Sequence, residues 1–138
     1  MNARMFIYIN GNTINKAVYS YFKASRLKMP KVKLTVPSEG ILKANQLGGY
    51  SSEHHTVYIN DTMWGISTEY DKYGLFVHEL IHVYQHAFDL CDFDYDLPYT
   101  QRPQEIHCHD HVSKILSELA IPVEDSILDQ LFEQEAMA

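Results

Sequence analysis

Twelve residues in the middle of the chain, Leu75-Phe76-Val77-His78-Glu79-Leu80-Ile81-His82-Val83-Tyr84-Gln85-His86, constrain it more than any other stretch. Apolar residues recur there with helical spacing. His78 and His82, four apart, fall on one face of such a helix. Two neutral imidazoles so placed can hold one Zn²⁺, with Glu79 beside them to accept a proton from water at the metal. The simpler alternative is an amphipathic helix with two ordinary polar histidines. Burying two His and a Glu among these apolar residues needs a compensating partner, however, and a metal is the most direct one.

A catalytic zinc takes three protein ligands and leaves one position open. His86, Glu105, His107, His109 and His111 are the candidates for the third, and Cys108 is either a ligand or a small buried filler. His86 shares the stripe of His78 and His82 but lies about 6 Å beyond His82 along the axis. One helix does not easily wrap three such side chains around one ion. Glu105 is the better choice, one turn into a following helix and after a connector long enough to reverse direction. Its bland alternative is an acid favoured by the positive end of the helix dipole. His109, one turn further on the same face, is placed to hold a ligand's orientation. Residues 107–111 cannot all bind one ion, because consecutive helical residues point in different directions.

A chain of 138 residues suits one domain over residues 1–138, and 46% hydrophobic residues can build its core. No apolar run approaches the roughly 20 residues of a membrane helix. Met1 to Asn10 is too short and too soon interrupted for a secretory signal. Cys91 and Cys108 make no disulfide framework. These features predict a cytoplasmic protein with no membrane partner. The net charge of −7 is unevenly spread: residues 1–43 carry eight Lys/Arg and one acid (+7), residues 44–138 three Lys/Arg and seventeen acids (−14). The basic half is either a solvated surface or a face for an acidic partner or nucleic acid.

Met5 to Asn10 reads as a strand ended by the turn signal Asn10-Gly11-Asn12. Residues 13–28 read as a helix, closed by Pro30. Lys31 to Val36 alternates basic and apolar residues, a half-buried strand with Val32, Leu34 and Val36 inward. Tyr50 to Asn60 reads as one strand, or two joined near Ser52–His54. The motif helix runs from Tyr73 to about Phe88. After the acidic connector Asp89–Tyr99, Pro103 opens a helix to about Leu119. Pro122 to about Glu135 completes the pattern as an amphipathic helix. Strands precede the helix cluster, so the class is α+β.

The motif with its downstream Glu resembles the gluzincin group of zinc metallopeptidases. The small size, the strand–helix–strand–strand order and the segment Arg102-Pro103-Gln104-Glu105-Ile106 are similar to compact bacterial or phage zincins of the ImmA/IrrE-like and SprT-like kind. Two features depart from those patterns. SprT-like proteins usually take a His as third ligand and carry a zinc-ribbon tail, and many gluzincins have an acid where this chain has His109, with Asp110 next to it. The resemblance implies a minimal zincin-like fold, a small mixed or antiparallel sheet packed on the motif helix, with further C-terminal helices. It implies Zn²⁺ held by His78, His82 and Glu105, and hydrolysis of a peptide or protein substrate with Glu79 as general base. The oxyanion would need a donor, for which Tyr99, Tyr95 and His111 are candidates. An extended peptide would lie on the edge strand before the motif helix, here residues 50–58, with Tyr50, Ser51, Ser52, Thr56 and Tyr58. The competing reading is a zinc-binding module that is non-catalytic or DNA-associated through its basic first segment.

Overall fold

The structure, a computed structural model, describes residues 1–122. Helix α1 (Ala3–Tyr21) is followed by strand β1 (Lys31–Thr35), a hairpin of β2 (Gly48–Ser51) and β3 (Thr56–Asn60), and a one-turn helix α2 (Asp61–Trp64). Then come α3 (Glu69–Phe88) and α4 (Pro103–Glu118). The class is α+β, as the order of patterns predicts. The expected last helix, from Pro122 to Glu135, lies outside the described residues.

The first strand expected from the sequence is instead the first half of α1. Asn2 caps this helix by accepting from Met5 N (2.8 Å). Ala3, Phe6, Gly11, Ile14, Asn15 and Val18 then form a buried stripe that runs unbroken through the supposed turn. Gly11 serves close packing rather than a turn. A Cβ there would meet Met29 Cε at 3.1 Å, Ile7 Cγ2 at 3.3 Å and Phe76 Cε1 of α3 at 3.7 Å. Helix spacing plus burial against α3 therefore overrides the local β preference. The helix also ends earlier than expected, where Lys23 takes a left-handed conformation (φ 53°).

The sheet has the order β1-β3-β2 and is mixed. β1 runs parallel to β3, with Val32 opposite Val57, and β2 runs antiparallel to it, with Tyr50 opposite Val57. Lys31 and Lys33 are exposed while Val32 and Leu34 are half-buried, as the alternation predicts; Val36 is exposed. All eight basic residues of the first 43 are exposed. β2 sits hard against α3 at Gly48, where a Cβ would collide with Leu75 Cδ1 and lie 2.9 Å from Tyr58 O. Only glycine allows that approach, which sets β2 one turn from His78.

α3 is the central element. Thr68 caps it by accepting from Asp71 N (3.2 Å), and Asp89, left-handed at φ 53°, ends it. Leu75, Phe76, Val77, Leu80, Ile81, Val83 and Tyr84 are all buried and share one apolar cluster with residues of α1, β3 and α4. Tyr84 Oη donates to Asn15 Oδ1 (2.8 Å) and accepts from Leu27 N (3.0 Å), tying α1 and its exit to α3. α4 packs antiparallel on α3: residues 104–107 of α4 meet Gln85, and Cys108 meets His78. Among the described residues, no helix is long and apolar enough to cross a membrane.

Candidate metal centre

Three side-chain atoms able to serve as ligands converge where α3 and the first turn of α4 cross. His78 Nε2 and His82 Nε2 are 3.1 Å apart. Glu105 Oε1 lies 2.7 Å from His82 Nε2 and 3.7 Å from His78 Nε2. Ligands of a tetrahedral zinc, each about 2.0–2.2 Å from the ion, stand about 3.3–3.6 Å from one another. The observed separations bracket that value. Glu79 Oε2 is buried and has no hydrogen-bond partner, an acceptor held ready beside the cluster.

Cys108 is a second possible third ligand. His78, His82 and Cys108 are close enough to hold a metal ion, with ligand atoms all within 4.8 Å of one another. The thiol is fully buried and faces His78 O at 3.4 Å. Burial, and then the charges of Glu105 and Glu79, push its pKa well above the ordinary thiol value, which disfavours the thiolate that a metal needs. Glu105 Oε1 stands 2.7 Å from His82 Nε2 and 3.7 Å from His78 Nε2, and its surroundings favour the carboxylate form. Burial alone would raise its pKa, but hydrogen bonds and charge from His78 and His82 hold it well below the usual carboxylate range.

The neighbouring groups are electrostatically divided. His82 would be lowered by burial, yet its bond and charge interaction with Glu105, helped by Glu79 and Gln85, raise it to about 9. Glu79 is shifted the other way from Glu105. Burial raises it and the Glu105 charge adds to that, while His78 and His82 pull it back. Two carboxylates thus share one site with opposite shifts. Tyr99, in a 3-10 turn (Tyr99–Gln101), is raised far above its ordinary value by burial and by the Glu105 carboxylate, to which it hydrogen-bonds. It therefore stays a donor.

A cleft of about 520 Å³ opens over this cluster. One wall is Lys43 to Tyr50, including β2; the other carries His86, Tyr95, Tyr99, Arg102 and His109. His109 lines the cleft. Tyr95 also reaches it, with its hydroxyl 3.3 Å from His86 Nε2. His111 does not: its Nδ1 pairs with Tyr21 Oη at 2.7 Å, on the α1 side of α4. His107 turns inward to Gln85.

The expected peptide edge needs correction. Thr56 and Tyr58 lie on β3, the central strand, whose two edges are taken by β1 and β2. Ser52 falls in the turn between β2 and β3. Only Tyr50 and Ser51 lie on a strand with an open edge, and of these Tyr50 lines the cleft. Residues 50–60 read as one strand, or two joined near Ser52–His54, and neither alternative says which strand of the hairpin is the outer one.

Sequence reasoning passed over Gln85. It is fully buried, and its side chain is bonded to His82, to His107 and to the backbone of Gln104. A signal was available, since Gln85 follows His82 by three on an apolar helix and so shares its face. No known protein family, curated protein or solved structure matches the chain.

Proposed function

We propose that the protein is a zinc-dependent metallopeptidase of the gluzincin kind. The observation that carries this reading is the convergence of His78 Nε2, His82 Nε2 and Glu105 Oε1 within 3.7 Å, beside a buried carboxylate with a raised pKa. His78, His82 and Glu105 would hold the ion. When bound, zinc supplies a Lewis acid that polarises a carbonyl and makes water a nucleophile near neutral pH.

Glu79 takes the proton of the attacking water and gives it to the leaving amine. Its raised pKa suits both halves of that transfer, and its burial keeps competing water out. Tyr99 offers its hydroxyl hydrogen to Glu105 or to the developing oxyanion. The substrate, a peptide or unfolded protein segment, lies in the cleft along β2, where backbone pairing with the outer edge gives affinity. Free thiols at Cys91 and Cys108 suit a cytoplasmic setting.

The test is cleavage of an unfolded protein by the zinc-loaded chain and by Glu79→Gln. The variant should bind zinc normally and lose at least about 100-fold in rate. Equal rates in the two proteins would rule out Glu79 as the base and remove the basis for this reading.

A further inference from the structure

The orientation of one buried amide decides which nitrogen of His82 faces the cluster. Gln85 is fully buried on α3, and its two amide ends meet different partners. One end lies 2.9 Å from Gln104 O and 2.9 Å from His107 Nδ1. A backbone carbonyl can only accept, so this end is the NH₂ group. It has two hydrogens and two acceptors, and both are used. The other end is then Oε1, which lies 2.7 Å from His82 Nδ1. An amide oxygen can only accept, so His82 Nδ1 carries a hydrogen. A neutral imidazole with hydrogen on Nδ1 leaves its lone pair on Nε2. Nε2 is the atom that points at His78 and Glu105.

The same side chain also links the two halves of the cluster. Gln104 O belongs to the residue before Glu105, in the first turn of α4. Through Gln85 the backbone that carries Glu105 is fixed to α3 three residues after His82. Gln104 is itself held from outside: its Oε1 accepts from Asp94 N (3.1 Å) in the connector.

We propose that Gln85 is the positioning residue of this centre: it holds the His82 proton on Nδ1, presents Nε2 for metal, and fixes the α4 backbone that carries Glu105. The inference rests on the metal-binding part of the function proposed above. It goes beyond that part by assigning the outer partner of the ligand set to a residue of α3, whereas the sequence pointed to His109 on α4. A neutral outer partner leaves the His82 imidazole less electron-rich than a carboxylate would. The ion then keeps more of its Lewis acidity.

The experiment compares wild type, Gln85→Leu and Gln85→Glu for zinc affinity, by competition with a chromogenic chelator. Nitrogen-15 spectra of the histidine rings in the zinc-loaded proteins accompany it. Wild type should bind one zinc, with His82 protonated at Nδ1 and metallated at Nε2. Gln85→Leu, which keeps the bulk and removes every hydrogen bond, should lose roughly 10–100-fold in affinity. Gln85→Glu keeps the acceptor for His82 but loses the bonds to Gln104 O and His107, so it should recover only part of the affinity that Gln85→Leu loses. Circular dichroism of the metal-free proteins identifies a variant that fails to fold; if Gln85→Leu does, the ring spectra and Gln85→Glu decide. A folded Gln85→Leu with wild-type affinity, or a His82 ring metallated at Nδ1, overturns the inference while leaving zinc binding intact. A wild type that binds no zinc overturns the inference together with the reading beneath it.

Discussion

Glu105 Oε1 lies 2.7 Å from His82 Nε2, joining the first turn of α4 to the middle of α3. Both side chains are buried, so the pair sits in low dielectric, where attraction between them is strong and separating them is costly. A long acidic connector separates the two residues in sequence, and they meet only because the chain reverses across it.

Glu105 rather than Cys108 should close the centre. Glu105→Ala should weaken zinc binding by more than the roughly 10–100-fold that loss of an outer partner costs. Cys108→Ala should leave zinc affinity unchanged and lower stability by roughly 1 kcal/mol, through a small void under His78. Chelator competition and denaturant unfolding read the two effects separately.

Metal affinity should depend on pH through His82. In the metal-free protein its pKa is raised to about 9, so an incoming ion must displace a proton at neutral pH. Apparent affinity should rise about tenfold per pH unit between 7 and 9, then level off. Calorimetry in buffers of different ionisation enthalpy should find about one proton released per ion at pH 7. The sign for stability is the reverse. A raised folded pKa contributes stability that is complete below the unfolded value of about 6.5. That contribution is lost as pH rises through about 9 in the metal-free protein.

Tyr99 should act through Glu105. Removing its hydroxyl in Tyr99→Phe frees a carboxylate that it helps to hold, and zinc affinity should fall about tenfold. A fall in kcat with zinc affinity unchanged would instead assign the hydroxyl to the oxyanion.

Gly48→Ala should move β2 away from α3. The added Cβ would collide with Leu75 Cδ1 and lie 2.9 Å from Tyr58 O, and neither backbone nor packed leucine yields easily. A loss of roughly 1–3 kcal/mol in denaturant unfolding is expected.

The centre was legible in the sequence to the extent that its residues follow helix geometry. His78 and His82 are one turn apart, and Pro103 starts the helix that carries Glu105 in its first turn. Gln85 was not read because polar residues late in an apolar helix are common, and its value depends on where α4 lies. Met5 to Asn10 misled for a related reason. Its β-branched and aromatic residues favour a strand locally, and the buried stripe from Ala3 to Val18, packed closely at Gly11, makes helix the better solution. The edge at Thr56 and Tyr58 came from the resemblance to zincins, and hydrophobic alternation, which marks a strand without giving its position in the sheet, could not correct it. β1 takes the far side of β3 through a crossover that no local pattern signals.

The most direct measurement is of the ligand set itself. The protein should be purified without chelators, analysed for metal, and then exchanged to cobalt for absorption spectroscopy. One zinc per chain is expected, with a cobalt spectrum of nitrogen and oxygen ligands and no intense thiolate charge-transfer band. Absence of stoichiometric metal, or a thiolate band that disappears in Cys108→Ala, would contradict that ligand set.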